Sequence, residues 1–209
     1  MIRAAALLLA ALLAAPAAAS VEREWRFRVF LDQREIGSHD FRVVERGAER
    51  EVESRARFDV KLLFVSAYRY VHESRERWRD DCLREIAART DDNGSTLEVR
   101  GAANDRGFEL AGPAGSAHLT ECVMTFAYWN PVFLRQERLL NPQTGKLTAV
   151  RVEPAGEETL TVRGAPVRAR RYTLHAPGYR IDVWYAGGAH WVQLESRAAN
   201  GRTLRYVAR

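Results

Sequence analysis

His72, Ser74 and Glu76 recur at every second position between Tyr68, Tyr70 and Trp78, in the run YRYVHESRERW. An extended strand puts all six on one face and leaves Arg69, Glu73, Arg75 and Arg77 on the other with Val71. An imidazole, a hydroxyl and a carboxyl within an aromatic surround are groups that orient a ligand or pass a proton. The same residues also make an ordinary buried polar network, satisfied by backbone and neighbours, and that reading is preferred. No catalytic residue is therefore assigned; the alternative is an envelope enzyme using His72 and Glu76 as an acid/base pair on an ester or a glycan. A serine hydrolase is disfavoured, because no GxSxG elbow is present and Ser74 beside His72 on one strand is a spacing, not a triad.

Other metal and cofactor chemistry is thinly represented. His39, His118, His175 and His190 stand singly, without HxH or HExxH spacing, and Asp91 and Asp92 lack the ligand spacing of an EF-type loop. No metal and no cofactor is expected.

The elements that must position these groups depend on one choice. The stretch from residue 72 to 90 also reads as a helix capped by Ser74, with Trp78, Cys82, Leu83 and Ile86 as its apolar stripe. A strand is preferred, since both Tyr residues and His72 fit period two and the turn TDDNG follows at 90–94. Elsewhere alternation dominates. Trp25, Phe27, Val29 and Leu31 oppose Arg26 and Arg28; Val52, Ser54, Ala56, Phe58 and Val60 oppose Glu51, Glu53, Arg55, Arg57 and Asp59. Asn93-Gly94 and Asn200-Gly201 are hairpin turns, and 141–145, NPQTG, is a further turn. Alternation is lost from His118 to Leu140, where apolar and aromatic residues run together. Pro131, with Asn130 as cap, starts a short helix through Arg138 there. About a dozen strands joined by hairpin-length links make an antiparallel sheet too wide to stay flat. The expected fold is all-β, a single strongly curved sheet or incomplete barrel with a short helical lid segment, with a two-sheet sandwich as the alternative.

Residues 1–19 have the form of a secretory signal peptide: Arg3, an uncharged run from Ala4 to Ala15, Pro16, then Ala17 and Ala19 at cleavage spacing. The run is shorter than the roughly 20 residues a spanning helix needs, and no later stretch is apolar enough to cross. Residues 20–209 then form a single periplasmic domain beginning at Ser20. Loss of Arg3 lowers the formal net charge from +5 to +4. Basic residues alternate with Glu and Asp instead of clustering, which argues against nucleic-acid binding. Cys82 and Cys122 show no CxxC and are too few for structural zinc, so in an oxidising compartment they are expected to pair. A monomer is expected.

The elements FLDQREIGSHDF, YRYVHESRERW followed by Cys-Leu, TDDNG, AYWNP, LLNPQTGKL, DVWYA and NGRTLRY occur in that order along the whole mature chain. The sequence resembles exported bacterial proteins of the domain of unknown function 6134, relatives of the family numbered 3108. That resemblance implies a periplasmic, β-rich fold, supports the strand from Tyr68, and implies no activity. By analogy of fold alone, the expected shape compares with periplasmic lipoprotein carriers, open half-barrels with a helical cover.

The five Trp residues and their aromatic neighbours suggest a barrel that either fills itself or holds something lipophilic. The expected function is non-catalytic binding or carriage of a lipid or other lipophilic molecule, with residues 123–138 as a lid. The expected lining is Tyr68, Tyr70, His72, Glu76, Trp78, Tyr128, Trp129 and Phe133. Trp25 and Phe27 belong to the same concave side, and Arg26, Arg28, Arg55, Arg57, Arg75 and Arg77 to the outside. A ligand site of this kind calls for a cavity of at least about 300 Å³, opening near Tyr128 to Phe133. A structural partner binding through a sheet edge would instead need a long unprotected edge and a filled interior.

Overall fold

A computed structural model describes residues 20–62, 65–198 and 201–209. The expected leader at 1–19 lies outside the described residues, as do Leu63, Phe64 and Asn200. Alternation becomes strands throughout: β1 (Val21–Leu31), β2 (Arg34–Arg46), β3 (Glu49–Leu62), β4 (Val65–Arg79), β5 (Cys82–Asp92), β6 (Ser95–Asn104), β7 (Gly107–Gly112) and β8 (Gly115–Leu119). After a non-alternating stretch come β9 (Arg138–Leu140), β10 (Leu147–Ala149), β11 (Arg151–Val162), β12 (Ala165–Ala176), β13 (Tyr179–Ala186), β14 (His190–Ala198) and β15 (Thr203–Ala208). The stretch from 72 to 90 is thus strand, with β4 and β5 meeting at a turn in which Asp80 takes a positive φ of 53°. At the far end of β5, Asn93 (φ 52°) and Gly94 (φ 92°) make the expected hairpin turn, and Asp91 Oδ1 accepts the Gly94 N–H at 2.7 Å.

One antiparallel sheet of 13 strands results, in the order β11-β12-β13-β14-β15-β1-β2-β3-β4-β5-β6-β7-β8. The last strand lies beside the first, Phe27 opposite Ala208 and Leu31 opposite Leu204, so the first and last strands meet in the middle of the sheet. The sheet curls but does not close, leaving β8 and β11 as edges. β8 is short, and β11 is interrupted by Pro154 and a bulge between Pro154 and Glu157, features that discourage another chain from adding there.

The segment from Thr120 to Val150 has to carry the chain from one edge to the other, and it does so through the concave side. Val123, Met124, Ala127, Trp129, Phe133, Leu139 and Leu140 are buried in one core with Trp25, Phe27, Val43, Trp78 and Trp191. Its backbone is tied to the sheet by the Leu83 N–H on the Val123 carbonyl (2.9 Å) and by the Tyr185 hydroxyl on the Tyr128 carbonyl (2.7 Å). Such a segment has neighbours on every side and no wet face, which is why period two disappears. The expected helical lid is only a 3₁₀ turn, Pro131–Arg135, capped as expected by Asn130, whose Oδ1 accepts the Val132 N–H at 3.1 Å. Residues 138–140 pair with 147–149 instead of extending a helix. The turn ends at Gln136, whose backbone is extended (φ −87°, ψ 144°) and whose N–H caps the Phe133 carbonyl.

The strand faces sort as the alternation requires. Trp25, Phe27, His72, Glu76 and Trp78 are buried, while Arg26, Arg28, Arg55, Arg57, Arg75 and Arg77 are exposed. The convex face is laced with cross-strand ion pairs such as Arg42–Glu22, Arg77–Glu85 and Arg89–Glu98, each contributing about 0–1 kcal/mol in water. Cys82 and Cys122 form a disulfide that pins the start of the crossing segment to β5. No helix among the described residues is long and apolar enough to cross a membrane.

Candidate functional site

Three rows of residues run across β2, β3, β4 and β5 on the concave face. His39, Ala56, His72 and Thr90 are in register; so are Phe41, Ser54, Ser74 and Ala88, and then Val43, Val52, Glu76 and Ile86. The middle of this patch is small. Ser54 and Ser74 form a hollow between the imidazoles on one side and Val52 and Glu76 on the other, and the crossing segment roofs it without filling it. The result is a cavity of about 240 Å³ whose roof is Thr125 to Trp129 with Asn141, Pro142, Tyr179 and Ile181. Trp129 and Ala127 are buried at its inner end, whereas Tyr70, Phe126, Pro142 and Tyr179 are half-buried at the opening. The cavity is somewhat smaller than the 300 Å³ expected of a drug-sized site, and its mouth lies away from Phe133.

The polar groups of the floor are partly committed. His39 Nε2 is 2.7 Å from Ser54 Oγ and its Nδ1 is 3.3 Å from the Tyr206 hydroxyl. His72 Nδ1 is 2.8 Å from Thr90 Oγ1. Glu76 Oε2 accepts from Trp78 Nε1 at 2.9 Å and from Thr125 Oγ1 at 3.4 Å, so one carboxylate oxygen joins the sheet to the crossing segment. His72 Nε2, Ser74 Oγ and Glu76 Oε1 have no hydrogen-bond partner among the described residues and are not among the fully occluded unpaired atoms, although their residues are at most 6% exposed. They belong to the lining and face the cavity.

Burial sets the charge of the floor. It pulls the His72 imidazole from 6.5 down to about 4, opposed by Glu73, and pulls His39 down to about 3 with help from nearby His72. Both are neutral at neutral pH. Burial also pushes the Glu76 carboxyl from 4.5 up to about 7, against the pull of its bonds from Trp78 and Thr125. No Lys or Arg lines the cavity, and among the described residues no group of three or more His, Cys, Asp or Glu is placed to hold a metal ion.

Of the residues picked from sequence, Tyr70, His72, Glu76, Tyr128 and Trp129 line the cavity. Tyr68, Trp78 and Phe133 do not. Tyr68 keeps its register opposite Val60 but sits at the rim, where it is 36% exposed and its hydroxyl donates to Asp92 Oδ1 at 2.6 Å. Trp78 is sealed in the core edge-on to Trp129 (centroids 5.4 Å apart), and Phe133 is sealed edge-on to Tyr128 (5.4 Å). His72 and Glu76 lie four positions apart on one strand, about 13 Å at the usual rise, and they share no partner; they are not brought together as an acid/base pair. His39, Ser54, Thr125, Tyr179 and Ile181 were not foreseen. His39 and Ser54 had a signal in their alternation with Phe41 and Val52, while Tyr179 and Ile181 come from a strand whose neighbour across the barrel no local pattern reveals.

The fold and the hollow together define an open, barrel-like all-β protein with an amphiphilic concave cavity. The chain belongs to the family described as domain of unknown function DUF6134, whose profile matches residues 27–209. Its fold is similar to the crystal structure of a β-barrel-like protein of the domain of unknown function DUF1849 from Brucella abortus, with a TM-score of 0.60 at 11% identity, covering 89% of this chain and 94% of that one. No curated protein matches the sequence.

Proposed function

We propose that this is an exported, non-catalytic binder of a small lipophilic molecule, held in the concave cavity beneath the crossing segment. The observation that carries the reading is the composition of that cavity: an aromatic roof facing a floor where three polar atoms of buried residues have no partner among the described residues and remain open to the cavity. A filled core would pair such atoms within the protein, whereas an open cavity leaves them to water or an occupant. A volume of 240 Å³, a little below the usual range of small-molecule sites, suits a small lipophilic group such as one or two rings or a short alkyl chain. Export is supported by the form of residues 1–19 and by the disulfide, which is characteristic of oxidising compartments. Catalysis receives no support from the separation of His72 and Glu76.

The test is native mass spectrometry of protein purified without detergent from its own cells, followed by calorimetric titration with octanol. The reading expects a small co-purifying molecule or saturable one-to-one binding of octanol. Absence of both up to millimolar octanol would defeat it.

A further inference from the structure

Resting on the reading of the concave cavity as a binding site, we infer that its ligand class is a small lipophilic amine, with the ammonium group held by Glu76 and hydrogen-bonded by Ser74. The lining contains one carboxyl group and no cationic side chain. An anionic head group would meet no counter-charge there and would face Glu76, so fatty acids and phosphate esters fit the floor poorly.

An ammonium group fits it well. It carries three N–H donors and no acceptor. Glu76 Oε1 and Ser74 Oγ, on residues two positions apart on one face of β4, have no partner among the described residues and are free to accept. Phe41, Tyr70, Tyr128 and Trp129 line the same space, and aromatic faces attract desolvated cations. The titratable groups facing Glu76 across the cavity are His39 from β2, Tyr70 and His72 from its own strand, Tyr128 from the crossing segment and Tyr179 from β13. β3 and β5 present Val52 and Ile86 beside it. None of these supplies a positive charge at neutral pH, since burial keeps both imidazoles neutral and raises the phenols. A bound ammonium group is the missing counter-charge: it stabilises the Glu76 carboxylate and expels a proton from it.

The experiment compares octylamine, octanol and octanoate, three chains of equal length with different heads, by calorimetry on the intact protein at pH 6 and pH 8. With Glu76 at about 7, its ionised fraction rises from about one-tenth to about nine-tenths over that interval, while an alkylamine near 10.4 stays charged. Octylamine is expected to bind tightest at pH 8 and about tenfold more weakly at pH 6, with proton release on binding; octanol is expected to be flat with pH and octanoate weakest. Glu76→Gln should erase the pH slope of octylamine, and if that variant does not fold, the wild-type slope and ranking still decide. Octanol binding as tightly as octylamine at pH 8, an octylamine affinity unchanged between the two pH values, or octanoate binding tightest would each overturn the inference while leaving the binding reading standing. Failure of all three to bind would overturn both.

Discussion

Replacing Glu76 by Gln should stabilise the protein, and by an amount that depends on pH in one direction only. The folded carboxyl titrates at about 7 because burial disfavours its charge, whereas in the unfolded chain it returns to its ordinary 4.5. The folded state therefore binds the proton more tightly. Its contribution to stability is fully present below 4.5 and is lost as pH rises through 7, a change of about 3 kcal/mol at 1.36 per pH unit. Gln keeps an oxygen for Trp78 Nε1 and Thr125 Oγ1 and carries no charge. The variant should match the parent near pH 4.5 and exceed it by about 3 kcal/mol at pH 8, equivalent to roughly 6–12 °C in midpoint for a domain of this size. His39 and His72 act oppositely: their folded values lie below 6.5, so their contribution is present above 6.5 and lost as pH falls toward about 3 for His39 and about 4 for His72. Those contributions cancel in the difference between variant and parent. Urea unfolding of both proteins at pH 4.5, 6, 7 and 8, after refolding to remove any occupant, gives that difference directly. A difference that is flat with pH, or that grows on acidification, would refute the assignment of a buried and largely uncompensated carboxyl.

Gly37→Ala should cost more than about 3 kcal/mol in urea unfolding, because φ is +151° and an added Cβ would stand 1.9 Å from the Arg57 carbonyl oxygen; a loss under 1 kcal/mol would mean that β2 and β3 do not approach so closely. The Cys82→Ser/Cys122→Ser double variant should lose about 4 kcal/mol, the chain-entropy value for a loop closed between residues 40 apart, and an unchanged unfolding midpoint would show that the link is dispensable or unformed. Intact-mass measurement on protein recovered from the periplasm should give a chain beginning at Ser20; recovery of an uncleaved chain in the cytosol would remove the basis for export.

The strands were legible wherever one face is wet. β1, β3 and β4 alternate Arg or Glu with aromatic and aliphatic residues, and an Arg inside costs far more than an aromatic outside, so their faces could be assigned without coordinates. β13 was harder to sort, because Ile181 to Tyr185 are buried on both faces, with Trp184 and Val192 packed in a separate small cluster. The crossing segment was visible as a break in alternation but not as the filling of the barrel, since a lid and a plug have the same composition. The candidate site was half legible. Its polar strand was read from His72, Ser74 and Glu76, but the floor of the hollow needs small Ser54 and Ser74 side by side on neighbouring strands, a coincidence of register that no single strand displays. Trp78 shares a face of β4 with lining residues, and Phe133 lies in the crossing segment beside Tyr128 and Trp129, yet both are sealed in the core because of the path the segment takes between the sheet edges.

The hollow itself can be tested by filling it. Ser74 faces the cavity, with small Ser54 and Ala88 on either side, so Ser74→Leu would occupy the space an occupant needs while adding apolar contacts. Calorimetric titration of the parent and of Ser74→Leu with octanol should show one saturable site in the parent and its loss in a variant that remains folded. Equal octanol binding by both proteins would contradict the claim that this cavity is where the protein holds its ligand.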